Sequence, residues 1–183
     1  MGKIKLVFMY DENIYKGEIF MNITFKGKPV TIGDNDVRVG DMAPEFNLTG
    51  NDLRNVTLSD TKGKRIFVVV PSVDTPVCDR EIRRFNEEAS KLDDINIYVI
   101  SMDLPFAQMR WCGAAGVNKV TTLSDYKNRD FGRNYAVYIQ EVGLLARSIF
   151  VIDENDKVTY VEYCSEVSSD PDYEAALNAA KRL

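Results

Sequence analysis

The 183-residue chain carries 23 basic and 28 acidic residues, a net charge of −5, with 45% hydrophobic residues. That size fits one compact domain around a single core, and the acidic balance leaves no footprint for nucleic acid and makes anionic membrane surfaces poor partners. With no histidine in the sequence, the usual general base and the usual zinc and haem ligand are missing, which excludes Ser-His-Asp and Cys-His catalysis.

At the start, Lys3 and Lys5 precede an apolar stretch of five residues, Leu6 to Tyr10, too short for the core of a signal peptide. No run approaches the roughly 18 apolar residues of a membrane span. A cytoplasmic location is therefore expected, where paired cysteines are more often catalytic or redox-sensing than structural. Residues 1–20 read as an extension without a clear role, and residues 21–183 as the domain.

Within that domain, Asn22 to Phe25 and Pro29 to Ile32 flank Lys26-Gly27-Lys28 and predict a hairpin. Arg65 to Pro71 contains Ile-Phe-Val-Val-Val, a continuous apolar run suited to a strand covered on both faces. A helix follows, with Thr75 as N-cap, Pro76 in the first position and Ile82, Phe85, Ala89 and Leu92 as a buried stripe. Ile95 to Met102 predicts a second strand, parallel to the first through a right-handed crossover, and Asp103-Leu104-Pro105 opens another helix. A short helical stretch near Asp125 to Gly132 comes next. Arg147 to Ile152 and Lys157 to Tyr163 then predict an antiparallel hairpin, and Asp172 to Leu183 a closing helix whose start signal is Ser169-Asp170-Pro171. This order predicts an α/β fold, a thioredoxin-like three-layer α/β/α sandwich with an N-terminal β-hairpin, which by itself settles no function.

The chain has three cysteines, at 78, 112 and 164, no CxxC pair and no histidine, so any cysteine chemistry runs without imidazole or metal. Cys78 falls in the first turn of the helix that follows the Arg65 to Pro71 strand. Unpaired N–H groups and the helix dipole there favour a thiolate over a thiol. Arg147 is the candidate cation, because its same-face neighbours Ile149 and Val151 look like core positions and an inward arginine needs an anionic partner. Position alone leaves other readings open. Cys78 equally fits a small buried hydrophobe, and Arg147 fits a solvated charge at a strand end. Cys112 lies in Arg110-Trp111-Cys112-Gly113-Ala114-Ala115-Gly116, whose two glycines weaken a helix by roughly 1 kcal/mol each. Such a segment can open locally, although a static buried cysteine fits the pattern as well.

The segment Pro71 to Cys78 matches Pro-x-x-x-Thr/Ser-x-x-Cys, and on this signature the sequence resembles the peroxiredoxins. Ser72-Val73-Asp74-Thr75-Pro76-Val77-Cys78-Asp79, Ser101-Met102-Asp103-Leu104-Pro105-Phe106-Ala107-Gln108, Arg110 to Ala114 and Gly143-Leu144-Leu145-Ala146-Arg147 are similar to the thiol peroxidase branch of that family. The resemblance covers about residues 22–183. It implies a cofactor-free peroxidase of the atypical two-cysteine type acting on hydrogen peroxide and alkyl hydroperoxides. Cys78 would be the attacking thiolate, Cys112 the resolving thiol of the same chain, and Pro71, Thr75 and Arg147 the residues around the sulfur. It further implies thioredoxin as reductant and a homodimer. Cys164 stands where the family would place an apolar residue. The contrasting reading is a non-enzymatic thiol redox sensor or holdase, which steady peroxide turnover would exclude.

Overall fold

The computed structural model describes residues 22–183 apart from Asp34, Ser90 and Asp93. The extension expected over residues 1–20 lies outside the described residues. Lys26 and Gly27 both take positive φ, 53° and 75°, a mirror-image turn whose twist suits two antiparallel strands. Accordingly β1 (Thr24–Phe25) pairs with β2 (Lys28–Pro29). The hairpin's strands are two residues each, shorter than the sequence predicts, although Val30 N donating to Ile23 O at 3.0 Å continues the pairing one step beyond them.

The central sheet is built from β3 (Asn47–Gly50), β4 (Asn55–Thr57), β5 (Lys64–Val69), β6 (Ile95–Ser101), β7 (Thr121–Ser124), β10 (Ser148–Ile152) and β11 (Val158–Tyr163). Its order is β11-β10-β5-β6-β7-β3-β4. Only β5, β6 and β7 run parallel to one another, and the remaining pairings are antiparallel. Helices α1 (Pro76–Ala89) and α2 (Pro105–Ala115) make the two crossovers, α3 (Asp130–Asn134) follows β7, and α4 (Tyr173–Lys181) closes the chain. A small ladder of β8 (Tyr138–Ile139) and β9 (Leu144–Leu145) precedes β10.

The strands β5, β6 and β7 advance in one direction across the sheet. Right-handed crossovers therefore put α1 and α2 on the same face. Ile66, Val68 and Val70 of the β5 segment meet Ile82 and Phe85 of α1 and Ala176, Leu177 and Ala180 of α4 on that face. Phe67 and Val69 point the other way, toward Phe46, Phe131 and Tyr135, where Phe131 and Tyr135 stack with centroids 3.9 Å apart. The α/β class and the layered thioredoxin-like plan follow from this two-sided burial.

Several boundaries differ from the sequence reading, each for a local reason. Helix α3 begins at Asp130 rather than near Asp125, because the Asp125 carboxylate is turned onto the helix start and accepts from Phe131 N at 3.2 Å and Gly132 N at 2.8 Å. Helix α4 is capped by Asp172, which accepts from Ala175 N at 3.2 Å, instead of by the preceding Ser169-Asp170-Pro171. The stripe of α1 includes Ile82 and Phe85, but the helix ends at Ala89, so Leu92 packs from the connection. Strands β3, β4 and β7 are only three or four residues long and carry no sustained apolar run, and they escape the sequence pattern.

Candidate active site

Strand β5 delivers the chain to Pro71 at its C-terminal end, and α1 starts five residues later. Asp103 pins the connecting loop: its carboxylate accepts from Ser72 Oγ at 2.8 Å and Val73 N at 2.7 Å, and from Ser101 Oγ at 2.8 Å. Thr75 is the N-cap in practice. Asp79 N donates to its carbonyl at 2.9 Å, and Cys78 N reaches its hydroxyl at 3.4 Å. This places Cys78 at the third helical position, fully buried, with Thr75 Oγ1 donating to Sγ at 2.7 Å.

Antiparallel pairing of Ser148 with Val69 carries Arg147 to the same end of the sheet. Alternation along β10 sends Arg147 to the face occupied by Ile149 and Val151, which share a cluster with Cys78. Its guanidinium is 1% exposed and engages three partners. Nη2 donates to Cys78 Sγ at 3.1 Å, Nε donates to Val167 O at 2.9 Å, and Nη1 donates to Glu81 Oε2. A cation and a hydroxyl donor thus face one sulfur.

Glu81 is the residue that sequence reasoning missed. It is wholly buried on α1, one turn beyond Cys78, and it answers the charge of Arg147. Burial pushes its carboxyl upward, while the adjacent Arg147 pulls it back. The signal was present in the sequence, since a charged residue three places from Cys78 lies on the helix's apolar stripe. Of this group, Cys78, Pro71, Glu81 and Arg147 are buried and Thr75 is partly exposed.

Cys112 packs against the edge of the apolar cluster that contains Cys78 and is not bonded to that residue. It sits on α2, half-buried, with Thr122 Oγ1 of β7 at 3.9 Å, and burial pushes its thiol up. The C-terminal end of α2 is fastened to α1 through Arg83, whose Nη1 donates to Ala115 O at 2.8 Å, and through Asn86, whose Oδ1 accepts from Lys119 N at 2.7 Å. Cys78, Cys112 and Cys164 are all free thiols. Cys164 is buried, donates from its backbone N–H to Arg147 O at 3.0 Å, and has its thiol raised by burial and by the nearby Glu162 and Glu81.

Comparison with known proteins matches the Redoxin family to residues 38–177. The chain is 57% identical over 162 residues to a thiol peroxidase of Bacillus subtilis strain 168, covering 88% of this chain and 97% of that one. It is 53% identical over 161 residues to a thiol peroxidase of Clostridium acetobutylicum, covering 88% and 98%. Among solved structures, a peroxiredoxin-like protein from Aquifex aeolicus superposes with a TM-score of 0.83 at 37% identity, covering 91% of this chain and 99% of that one.

Proposed function

This chain belongs to the Redoxin family as a thiol-dependent peroxidase of the peroxiredoxin type, and from that membership we propose how its residues divide the reaction. Cys78 is the thiolate that attacks the terminal oxygen of a hydroperoxide. The O–O bond breaks, one oxygen stays on sulfur as a sulfenic acid, and the other leaves as an alkoxide or hydroxide that takes up a proton. Arg147 Nη2 and Thr75 Oγ1 hold the sulfur's charge beforehand and stabilise the charge that moves to the leaving oxygen. Pro71 ends the strand that presents the loop. The observation that carries this reading is the convergence of two donors on one buried sulfur, at 2.7 Å and 3.1 Å.

Cys112 resolves the sulfenic acid: its thiol condenses with Cys78, water leaves, and an intrachain disulfide forms. The helix α2 must loosen for the two sulfurs to meet. Thioredoxin then supplies two thiols, becomes the disulfide, and returns Cys78 and Cys112 to the reduced state. The reaction is placed in the cytoplasm, where such a reductant is maintained; among the described residues no helix is long and apolar enough to cross a membrane. The domain is taken as residues 21–183, with residues 1–20 as an extension.

The working unit is a homodimer. Leu104, Phe106 and Met109 at the start of α2 are each more than half exposed, an apolar group suited to a partner surface. Sedimentation of the reduced protein should give twice the 20.8 kDa chain mass; a 20.8 kDa species at micromolar concentration would remove the dimer.

The test of the mechanism is peroxide consumption by the native protein, Cys78→Ser and Cys112→Ser with thioredoxin and its reductase supplying electrons. Cys78→Ser should lose all turnover, and Cys112→Ser should complete one fast round without recycling. Unchanged turnover in Cys78→Ser would send that residue back to the core as a packing group.

A further inference from the structure

Glu166 lies beyond β11, outside the sulfur's own surroundings, yet its carboxylate is among the most engaged in the molecule. It accepts from Thr24 Oγ1 at 2.8 Å, Lys26 N at 3.0 Å and Gly27 N at 2.9 Å, and from Ser168 N at 2.8 Å. Three of these donors belong to the hairpin of β1 and β2, about 140 residues away along the chain. The left-handed turn at Lys26 and Gly27 aims both N–H groups at one acceptor. Backbone bonds complete the join, with Thr24 N donating to Ser165 O at 2.9 Å and Val167 N donating to Thr24 O at 2.8 Å.

The segment fastened in this way carries the carbonyl that touches the catalytic arginine. Val167 O accepts from Arg147 Nε at 2.9 Å. A guanidinium is planar, so an acceptor on Nε together with one on Nη1 fixes its plane and therefore the direction of Nη2. Without the Val167 carbonyl, Arg147 would be held by Glu81 at one nitrogen and could pivot away from Cys78.

We propose that Glu166 is a positioning residue for the peroxidase reaction, locking the N-terminal hairpin onto residues 165–168 so that the Val167 carbonyl sets the aim of Arg147 at Cys78. This rests on the roles proposed above for Cys78 and Arg147. It gives the N-terminal hairpin a part in catalysis although neither of its strands touches the sulfur.

A matched control exists in the same N-terminal segment. Glu141 accepts from Thr31 N at 2.9 Å and 3.0 Å, fastening the chain just after the hairpin without reaching residues 165–168. The experiment uses the full chain carrying Cys112→Ser and Cys164→Ser, so that Cys78 is its remaining thiol. Two quantities are read: the rate of Cys78 alkylation by iodoacetamide across the pH range where thiols titrate, and the single-turnover rate with hydrogen peroxide.

In this background Glu166→Gln should move the alkylation profile to higher pH and slow the peroxide step about ten-fold, since a displacement of about 1 Å can cost on the order of a hundred-fold. Thr24→Val, a milder loss of one donor, should shift both readouts the same way by less, and it serves if Glu166→Gln folds poorly. Glu141→Gln should leave both unchanged even if it lowers the melting temperature. The proposal is overturned if Glu166→Gln and Thr24→Val leave both readouts at the parent's values, or if Glu141→Gln moves them equally. Arg147→Lys separates the two levels. If it slows the peroxide step while Glu166→Gln does not, this inference alone fails, and if Arg147→Lys changes nothing, the underlying reading of Arg147 fails first.

Discussion

Arg147 donates from all three of its nitrogens, Nη2 to Cys78 Sγ, Nη1 to Glu81 and Nε to Val167 O. A lysine offers one compact ammonium and cannot span those positions. Arg147→Lys should therefore lower kcat/KM for hydroperoxide by about a hundred-fold, the scale on which loss of one preorganised charge donor is felt; stopped-flow tryptophan fluorescence reads this directly, and a loss under three-fold would remove Arg147 from the peroxide step. Glu81 acts from behind. Truncating one side of a buried ion pair strands the other charge, so Glu81→Leu should cost about 3 kcal/mol in urea unfolding, and the peroxide rate should fall as Arg147 loses its anchor. Position and alternation offered Cys78, Thr75 and Arg147 as candidates with core and surface readings still open, and the resemblance to the peroxiredoxins singled them out. The sequence left Glu81 unread because an acidic residue on a helix is normally a solvated one, so the signal of its place beside the apolar stripe was outweighed, and the fold shows it enclosed with Arg147.

At the scale of elements, α1 and α2 share a sheet face and differ in character. Helix α1 has a clear apolar stripe ending in Cys78, Glu81, Ile82 and Phe85, while α2 buries only Pro105 and Gln108 fully. The end of α2 relies on Gly116 in the left-handed conformation at φ 67°, and on the tether from Arg83. Local opening is cheapest where few apolar contacts resist it. Amide hydrogen exchange should therefore speed up across residues 110–117 when peroxide oxidises the native protein, and the change should vanish in Cys112→Ser; equal protection in both redox states would mean that α2 does not open to form the disulfide. The sequence pattern found helices α1, α2, α3 and α4 and the strands β5, β6, β10 and β11, the strands and α1 through continuous apolar or periodic signals and α2 through the Pro105 start. The strands β3, β4 and β7 were unreadable because Asn47-Leu48-Thr49-Gly50 and Thr121-Thr122-Leu123-Ser124 become strands only by pairing with each other and with β6.

At the scale of the whole molecule, distant segments are joined by carboxylates whose titration links stability to pH. Burial opposes ionisation of Glu166, but donors from Gly27, Ser168 and Thr24 outweigh it and hold the carboxyl near about 2, below the ordinary 4.5. The unfolded chain then binds a proton there that the folded chain does not, so this contribution is present above about 4.5 and is lost as pH falls through about 2. Screened by its partial exposure, it is worth on the order of 1–2 kcal/mol. Asp125 has the opposite sign. Burial raises it from 3.8 to about 6 despite the amides of Gly132 and Phe131, so its contribution is present below 3.8 and is lost as pH rises through about 6. Urea midpoints measured on acidification below pH 4.5 should fall less steeply in Glu166→Gln than in the native protein; parallel curves would show that the hairpin clasp contributes no linked stability.

The amino-acid sequence by itself determined the chemistry on offer. With three cysteines and no histidine, it excluded imidazole-based catalysis and set one cysteine, Cys78, in the first turn of a helix, and its apolar periodicity determined the layered α/β plan. Both are properties of local composition and spacing, which a chain carries wherever it goes. Tertiary structure alone decided which charges meet. The antiparallel register of β10 on β5 brought Arg147 to Cys78, the packing of α1 turned Glu81 inward to face it, and the hairpin reached across the chain to hold Val167 against it. Those pairings join residues about 20 to 140 positions apart, and no local pattern encodes them.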